Sequence, residues 1–122
     1  MLFRSKQQYI VFGLNRFGTS VARTPAAAGI EVVAVDHDAD RVAQIADEVS
    51  YAVQVDVADE DAMSGLGMEH MDGAVIAVSS NMEASIVIAM KCKEYNIPQI
   101  IATGKNEIHG KVLKKQIGRA HV

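Results

Sequence analysis

Tyr9-Ile10-Val11-Phe12-Gly13-Leu14-Asn15-Arg16-Phe17-Gly18 decides the fold. A continuous apolar run of this kind reads as a strand buried on both faces, not as one that alternates between core and water. It passes straight into Gly-x-Asn-x-x-Gly, and a helical pattern follows. Strand, tight turn and helix in that order open a dinucleotide-binding unit, whose usual turn is Gly-x-Gly-x-x-Gly. Gly13 permits the tight turn, and Gly18 lets the helix come close to the sheet. The amides freed at the helix start face a phosphate, with the positive end of the helix dipole behind them. Asn15 stands where the backbone passes nearest a pyrophosphate. Asparagine accepts left-handed dihedrals better than most residues, yet its side chain takes space that glycine leaves open. Weakened or altered phosphate binding is expected there.

Outward from this turn, two kinds of segment alternate. Residues 8–13, 30–36, 51–55, 73–78 and 98–103 are short, rich in Val and Ile, and end in Gly, Asp or Ser or run on into such residues. Between them lie helix-length stretches at 16–28, 38–48, 59–66, 82–95 and 106–116. The helical period is clearest at Val42, Ile45, Ala46 and Val49. Asp38 is placed to cap that helix, Ser80 or Asn81 the fourth, and Asn106 the last. Alternation with short connections predicts an α/β fold: a Rossmann-like, doubly wound parallel sheet in a single domain, of strand order 3-2-1-4-5 with room for a sixth. Pro25 resists the pattern, because it removes a backbone donor inside the first helix; that helix is expected to kink there or to end before residue 26. The chain stops at Val122 where a sixth strand would form, so 1–122 is expected to be one nucleotide-binding domain cut short at its C-terminus.

Composition excludes several functions. A net charge of −3, with no block of Lys or Arg, speaks against a nucleic-acid partner. The longest apolar runs fall far short of the ~18 residues that a membrane span needs, and the N-terminus does not read as a signal peptide. Cys92 is the one cysteine, so no internal disulfide forms, which suits a reducing cytosol. Lys91 and Lys93 beside it favour a thiolate, but its helical setting reads first as a small core residue.

The strand ends carry the candidate site. Asp36 closes the second strand, where a carboxylate accepts hydrogen bonds from both hydroxyls of an adenosine ribose and repels a 2′-phosphate; capping the next helix is its structural alternative. Asp56 follows the third strand, placed either for an adenine edge or to cap the helix that begins near Asp59. Ser79-Ser80-Asn81 follow the fourth strand, beside the crevice where the strand order reverses. Gly104-Lys105-Asn106 follow the fifth, with Lys105 placed to meet a phosphate charge. Small or polar residues at all five strand ends mark one edge of the sheet as the binding edge. Catalytic equipment is missing: His37, His70 and His109 read as solvated or partner-facing, and neither a metal-ligand cluster nor a Ser-His-Asp set appears. The fourth helix, apolar nearly all round at 84–90 (ASIVIAM), suits a contact with a second subunit, or burial beneath a missing C-terminal part.

The turn at 9–18, Glu31-Val32-Val33-Ala34-Val35-Asp36, and Asn106-Glu107-Ile108-His109-Gly110-Lys111-Val112-Leu113 together resemble the N-terminal domain of RCK proteins. More narrowly, they are similar to the regulatory subunit of Ktr/Trk-type bacterial potassium uptake systems. The resemblance implies a non-enzymatic cytoplasmic subunit that forms homodimers and then a ring, peripheral at the inner face of the membrane beneath a potassium-translocating subunit. Its regulatory ligand would be NAD(H) or ATP/ADP. By position, Arg16, next to Phe17, would contact phosphate, and Asp36 the ribose with His37 and Asp38 beside it. Asp56 and Val57 would flank adenine. Val78, Ser79 and Ser80 would line the phosphate or second-ribose side, facing Thr103, Gly104, Lys105 and His109. This chain departs from the family in Asn15 for glycine, Pro25 for an apolar residue and Thr103 for a lysine. The acidic residues that hold a divalent ion between paired nucleotides in the family would mostly lie past Val122. The competing readings are a nucleotide-binding fragment of an NAD-dependent oxidoreductase and a nucleotide module of another transport or sensing system.

Overall fold

The computed structural model describes residues 7–57, 59–78, 81–104, 110–112 and 114. Strands β1 (Gln8–Phe12), β2 (Glu31–Asp36), β3 (Tyr51–Gln54), β4 (Gly73–Ile76) and β5 (Gln99–Ala102) alternate with helices α1 (Arg16–Ala27), α2 (Ala39–Ile45), α3 (Glu60–Ser64) and α4 (Met82–Glu94). The strands form one all-parallel sheet of order β3-β2-β1-β4-β5, the order that the alternation predicts. In this order β1 and β4 lie side by side at the centre, with the chain leaving them toward opposite faces.

Two separate cores show the double winding. On one face Val11, Val32, Ala34 and Val75 of the sheet bury against Leu14, Ala22 of α1 and Ile45 of α2. On the other, Ile10, Phe12, Ala74, Ile76 and Ile100 meet Met63 of α3, the 66–71 segment, and Ile88, Ala89 and Cys92 of α4. Parallel strands covered on both sides need an apolar residue at nearly every position, which is why they read as continuous runs in the sequence.

Pro25 does not end the first helix early, and the second helix is shorter than expected. α1 runs through Pro25 and stops two residues later, where Ala28 and Ile30 donate to the Pro25 carbonyl at 3.0 Å. The proline removes its own donor to the preceding turn, but its carbonyl serves the C-terminal end of the helix. α2 ends at Ile45, short of residue 48, and Ala46 is exposed. Asp47 and Glu48 follow directly, and carboxylates at the negative end of the helix dipole oppose further turns. The caps fall as expected on Asp38, whose Oδ1 accepts from the Asp40 amide at 2.9 Å, and on Asn81, whose Oδ1 accepts from Ala84 at 3.0 Å. Asn106 lies outside the described residues.

Cys92 is fully buried in the α4 core, and burial pushes its thiol up to about 12, from an ordinary 9.0. Desolvation therefore outweighs the backbone hydrogen bond that lowers it. The native thiol should stay unmodified by a charged thiol reagent at pH 8 and react only in denaturant; prompt native labelling would contradict the burial. Because the folded value is raised, the group's contribution to stability is intact below pH 9.0 and is lost as pH climbs toward 12.

Candidate functional site

The turn after β1 is held by contacts that only glycine allows. Gly13 has φ +96°, and a Cβ there would meet the Ala77 carbonyl oxygen at 2.6 Å. A Cβ on Gly18 would overlap the Gly13 carbonyl oxygen and touch the Ala77 Cβ at 3.2 Å. These two glycines bring the first turn of α1 down onto the ends of β1 and β4.

Asn15 is the N-cap of α1, with extended backbone (φ −74°, ψ −172°). The left-handed conformation allowed for in the sequence is not used. Its Oδ1 accepts from the Gly18 amide at 2.8 Å, and its Nδ2 donates to the Ala77 carbonyl at 2.7 Å. The side chain thus ties the helix start to the segment leaving β4.

Asp36 is 5% exposed. Its Oδ2 accepts from the Leu14 amide at 2.7 Å and its Oδ1 from the Asp38 amide at 2.8 Å. Of its two sequence-based roles, helix capping falls instead to Asp38. His37 Nδ1 stands 3.3 Å from Oδ1, and Arg41 Nη1 3.9 Å from Oδ2. A carboxylate has about four acceptor positions, so two amide donors leave room for further donors from a ligand.

Asp36 lines a cleft of about 610 Å³. Gly13 and Asn15 form one wall and Ala77, Val78 and Asn81 another, while His37, Gln54, Asp56 and Val57 surround the mouth near β2 and β3. Phe12, Val35, Val55 and Ile88 supply an apolar floor. Gln54 Nε2 donates to the His37 carbonyl at 3.1 Å, joining the tips of β2 and β3. An apolar floor with a few convergent polar groups is the usual make-up of a small-molecule site. Asp59 caps α3 through the Ala62 amide at 3.1 Å, while Asp56 is an exposed part of the cleft lining.

Other sequence candidates fall elsewhere. Arg16 lines a neighbouring groove of about 760 Å³ between α1 and α2, which shares Asn15 and Arg41 with the cleft. Phe17 is 47% exposed on α1. Gly18 and Asp38 act through the turn and the α2 cap. Thr103 donates to the Ile76 carbonyl through its amide at 3.0 Å; neither it nor Gly104 lines the cleft. Ser79, Ser80, Lys105 and His109 lie outside the described residues. The sequence reading passed over Arg41, Gln54 and the floor residues. Arg41 carried a usable signal: three residues after the Asp38 cap, it sits in the first turn of α2 beside the tip of β2.

Sheet order, glycine turn and acidic β2 tip define the class: a Rossmann-type domain with a cleft at its switch point. Residues 9–122 match the TrkA-N domain, and the chain belongs to that family. It is 37% identical over 117 residues to Ktr system potassium uptake protein C of Bacillus subtilis (strain 168), covering 96% of this chain and 52% of that protein. To Ktr system potassium uptake protein A of the same organism it is 33% identical over 109 residues, covering 89% of this chain and 49% of that protein. The chain therefore spans about half the length of these relatives. Its fold is similar to the TrkA-N domain of inner membrane protein ybaL from Escherichia coli (TM-score 0.83, 16% identity, 98% of this chain and 89% of that one). It is similar also to the GsuK channel bound to NAD (TM-score 0.78, 15% identity, 99% and 22%).

The close approach at Gly18 is testable by stability. Gly18→Ala should lower the unfolding free energy by about 1–3 kcal/mol, the usual cost of overpacking, as read from urea denaturation. A neutral substitution would contradict the contact with Gly13.

Proposed function

We propose that this chain is the nucleotide-binding part of a regulatory subunit of a potassium uptake system, gated by NAD(H) or ATP/ADP. The observation that carries the reading is Asp36 in the cleft wall, its carboxylate oriented by the Leu14 and Asp38 amides. The adenosine ribose hydroxyls donate hydrogen bonds to this carboxylate, and adenine lies over Val55 and Val57 beside Asp56. Arg41, and Arg16 in the adjoining groove, supply positive charge for phosphates. His37 flanks the ribose, and Val78 lines the side toward β4.

Membership of the TrkA-N family and likeness to two potassium uptake proteins support the transport role. The GsuK channel bound to NAD, which shares the fold, supports a nucleotide ligand. In this reading the protein works by binding, not by catalysis. A nucleotide with unequal affinity for two conformations shifts their balance, and that difference is what moves a gate.

The working unit is a homodimer assembled into a ring, peripheral at the inner face of the membrane through a potassium-translocating subunit. No helix among the described residues is long and apolar enough to cross a membrane; in this reading the potassium-translocating partner provides the span. On α4, Val87 is half-buried and Met90 is 44% exposed, leaving apolar surface for a second copy.

Calorimetric titration with ATP, ADP, NAD and NADH tests the ligand. Asp36→Asn should weaken all four by about 1–3 kcal/mol, the cost of losing charge-assisted hydrogen bonds. Equal affinities in the two proteins would remove Asp36 from the site.

A further inference from the structure

Three amides around the turn are engaged within the protein. The Gly13 amide donates to the Val35 carbonyl at 2.8 Å, Leu14 to Asp36 at 2.7 Å, and Gly18 to Asn15 Oδ1 at 2.8 Å. That leaves the amides of residues 15 to 17 at the helix start. Every buried backbone donor needs a partner, and Asn15 provides one with an oxygen of its own. Its Oδ1 sits on the helix N-terminus as a bound anion's oxygen would.

The same side chain reaches across the switch point. Nδ2 bonds to the Ala77 carbonyl at 2.7 Å, just past β4, while the backbone of Asn15 begins α1, just past β1. β1 and β4 are the neighbours between which the strand order reverses. A diphosphate running from a ribose on β2 toward the β4 side crosses that line, and glycine at the middle position of the turn would leave it open. The Asp36 end of the cleft, with its Val55 and Val57 surface, lies on the near side of the bridge.

We infer that Asn15 sets the ligand specificity of this cleft, its side-chain amide filling the diphosphate seat so that affinity resides in the adenosine end. The inference rests on the nucleotide reading above and narrows it. Adenosine meets Asp36 without disturbing the bridge, whereas a diphosphate that crosses from the β2 side to the β4 side must displace the Asn15 side chain and break its two hydrogen bonds. Phosphates then add little net affinity.

Titration of adenosine, ADP and NAD into the protein and into Asn15→Gly decides the matter. Glycine is nearly as good a helix N-cap as asparagine, costing only a few tenths of a kcal/mol, so the variant is expected to fold; a thermal melt checks this. In the unaltered protein ADP should bind within about threefold of adenosine, and Asn15→Gly should tighten ADP and NAD by about tenfold, leaving adenosine within about twofold. ADP more than about tenfold tighter than adenosine in the unaltered protein overturns the inference, as does Asn15→Gly leaving ADP unchanged or weaker. Either result leaves the nucleotide reading standing. If none of the three ligands binds either protein, both fall. Should Asn15→Gly not fold, the adenosine-to-ADP ratio of the unaltered protein decides alone.

Discussion

The buried carboxylate of Asp36 joins the parts of this molecule that matter. It takes one amide from the glycine turn and one from the approach to α2, so the tip of β2, the start of α1 and the start of α2 share one anchor. Burying a carboxylate is unfavourable unless hydrogen bonds replace its lost water, and two short amide bonds do so here. The group is consequently fixed in direction before any ligand arrives. A preoriented acceptor spares the ordering cost that a mobile side chain would impose on binding.

Around that anchor, glycine and asparagine divide the work. Gly13 and Gly18 are demanded by backbone approach, since neither position has room for a Cβ. Asn15 is demanded by nothing in the backbone, because its extended φ and ψ suit any residue. Its identity matters through its side chain, which completes the polar accounting of the turn and bridges to Ala77. The turn thus has glycine where the backbone approach demands it and asparagine where the side chain alone decides.

Most of the fold was legible because parallel strands covered on both faces cannot hide their composition. The five Val- and Ile-rich runs became the five strands within a residue or two at each end. Helix ends were harder, since they depend on local electrostatics: the acidic pair Asp47 and Glu48 shortened α2 in a way that hydrophobic period does not register. At Asn15 the reading weighed dihedral tolerance, when the capping preference of asparagine three residues before a free amide was the rule that applied. Arg41 and Gln54 stayed hidden because they reach the cleft through folding of α2 and β3 beside β2, not through spacing from the glycine turn. Gly13, Asn15, Asp36, Asp56 and Val78 all line one cleft, whereas Thr103 and Gly104 do not line it.

The most direct measurement of the central claim is an amide-resolved NMR titration of the protein with adenosine. Hydroxyls that bond to the Asp36 carboxylate change the two amides already bonded to it. The largest shifts are expected at Leu14 and Asp38, with Asp56 and Val57 next. Shifts that saturate elsewhere on the sheet, with Leu14 and Asp38 unmoved, would contradict a ribose at Asp36.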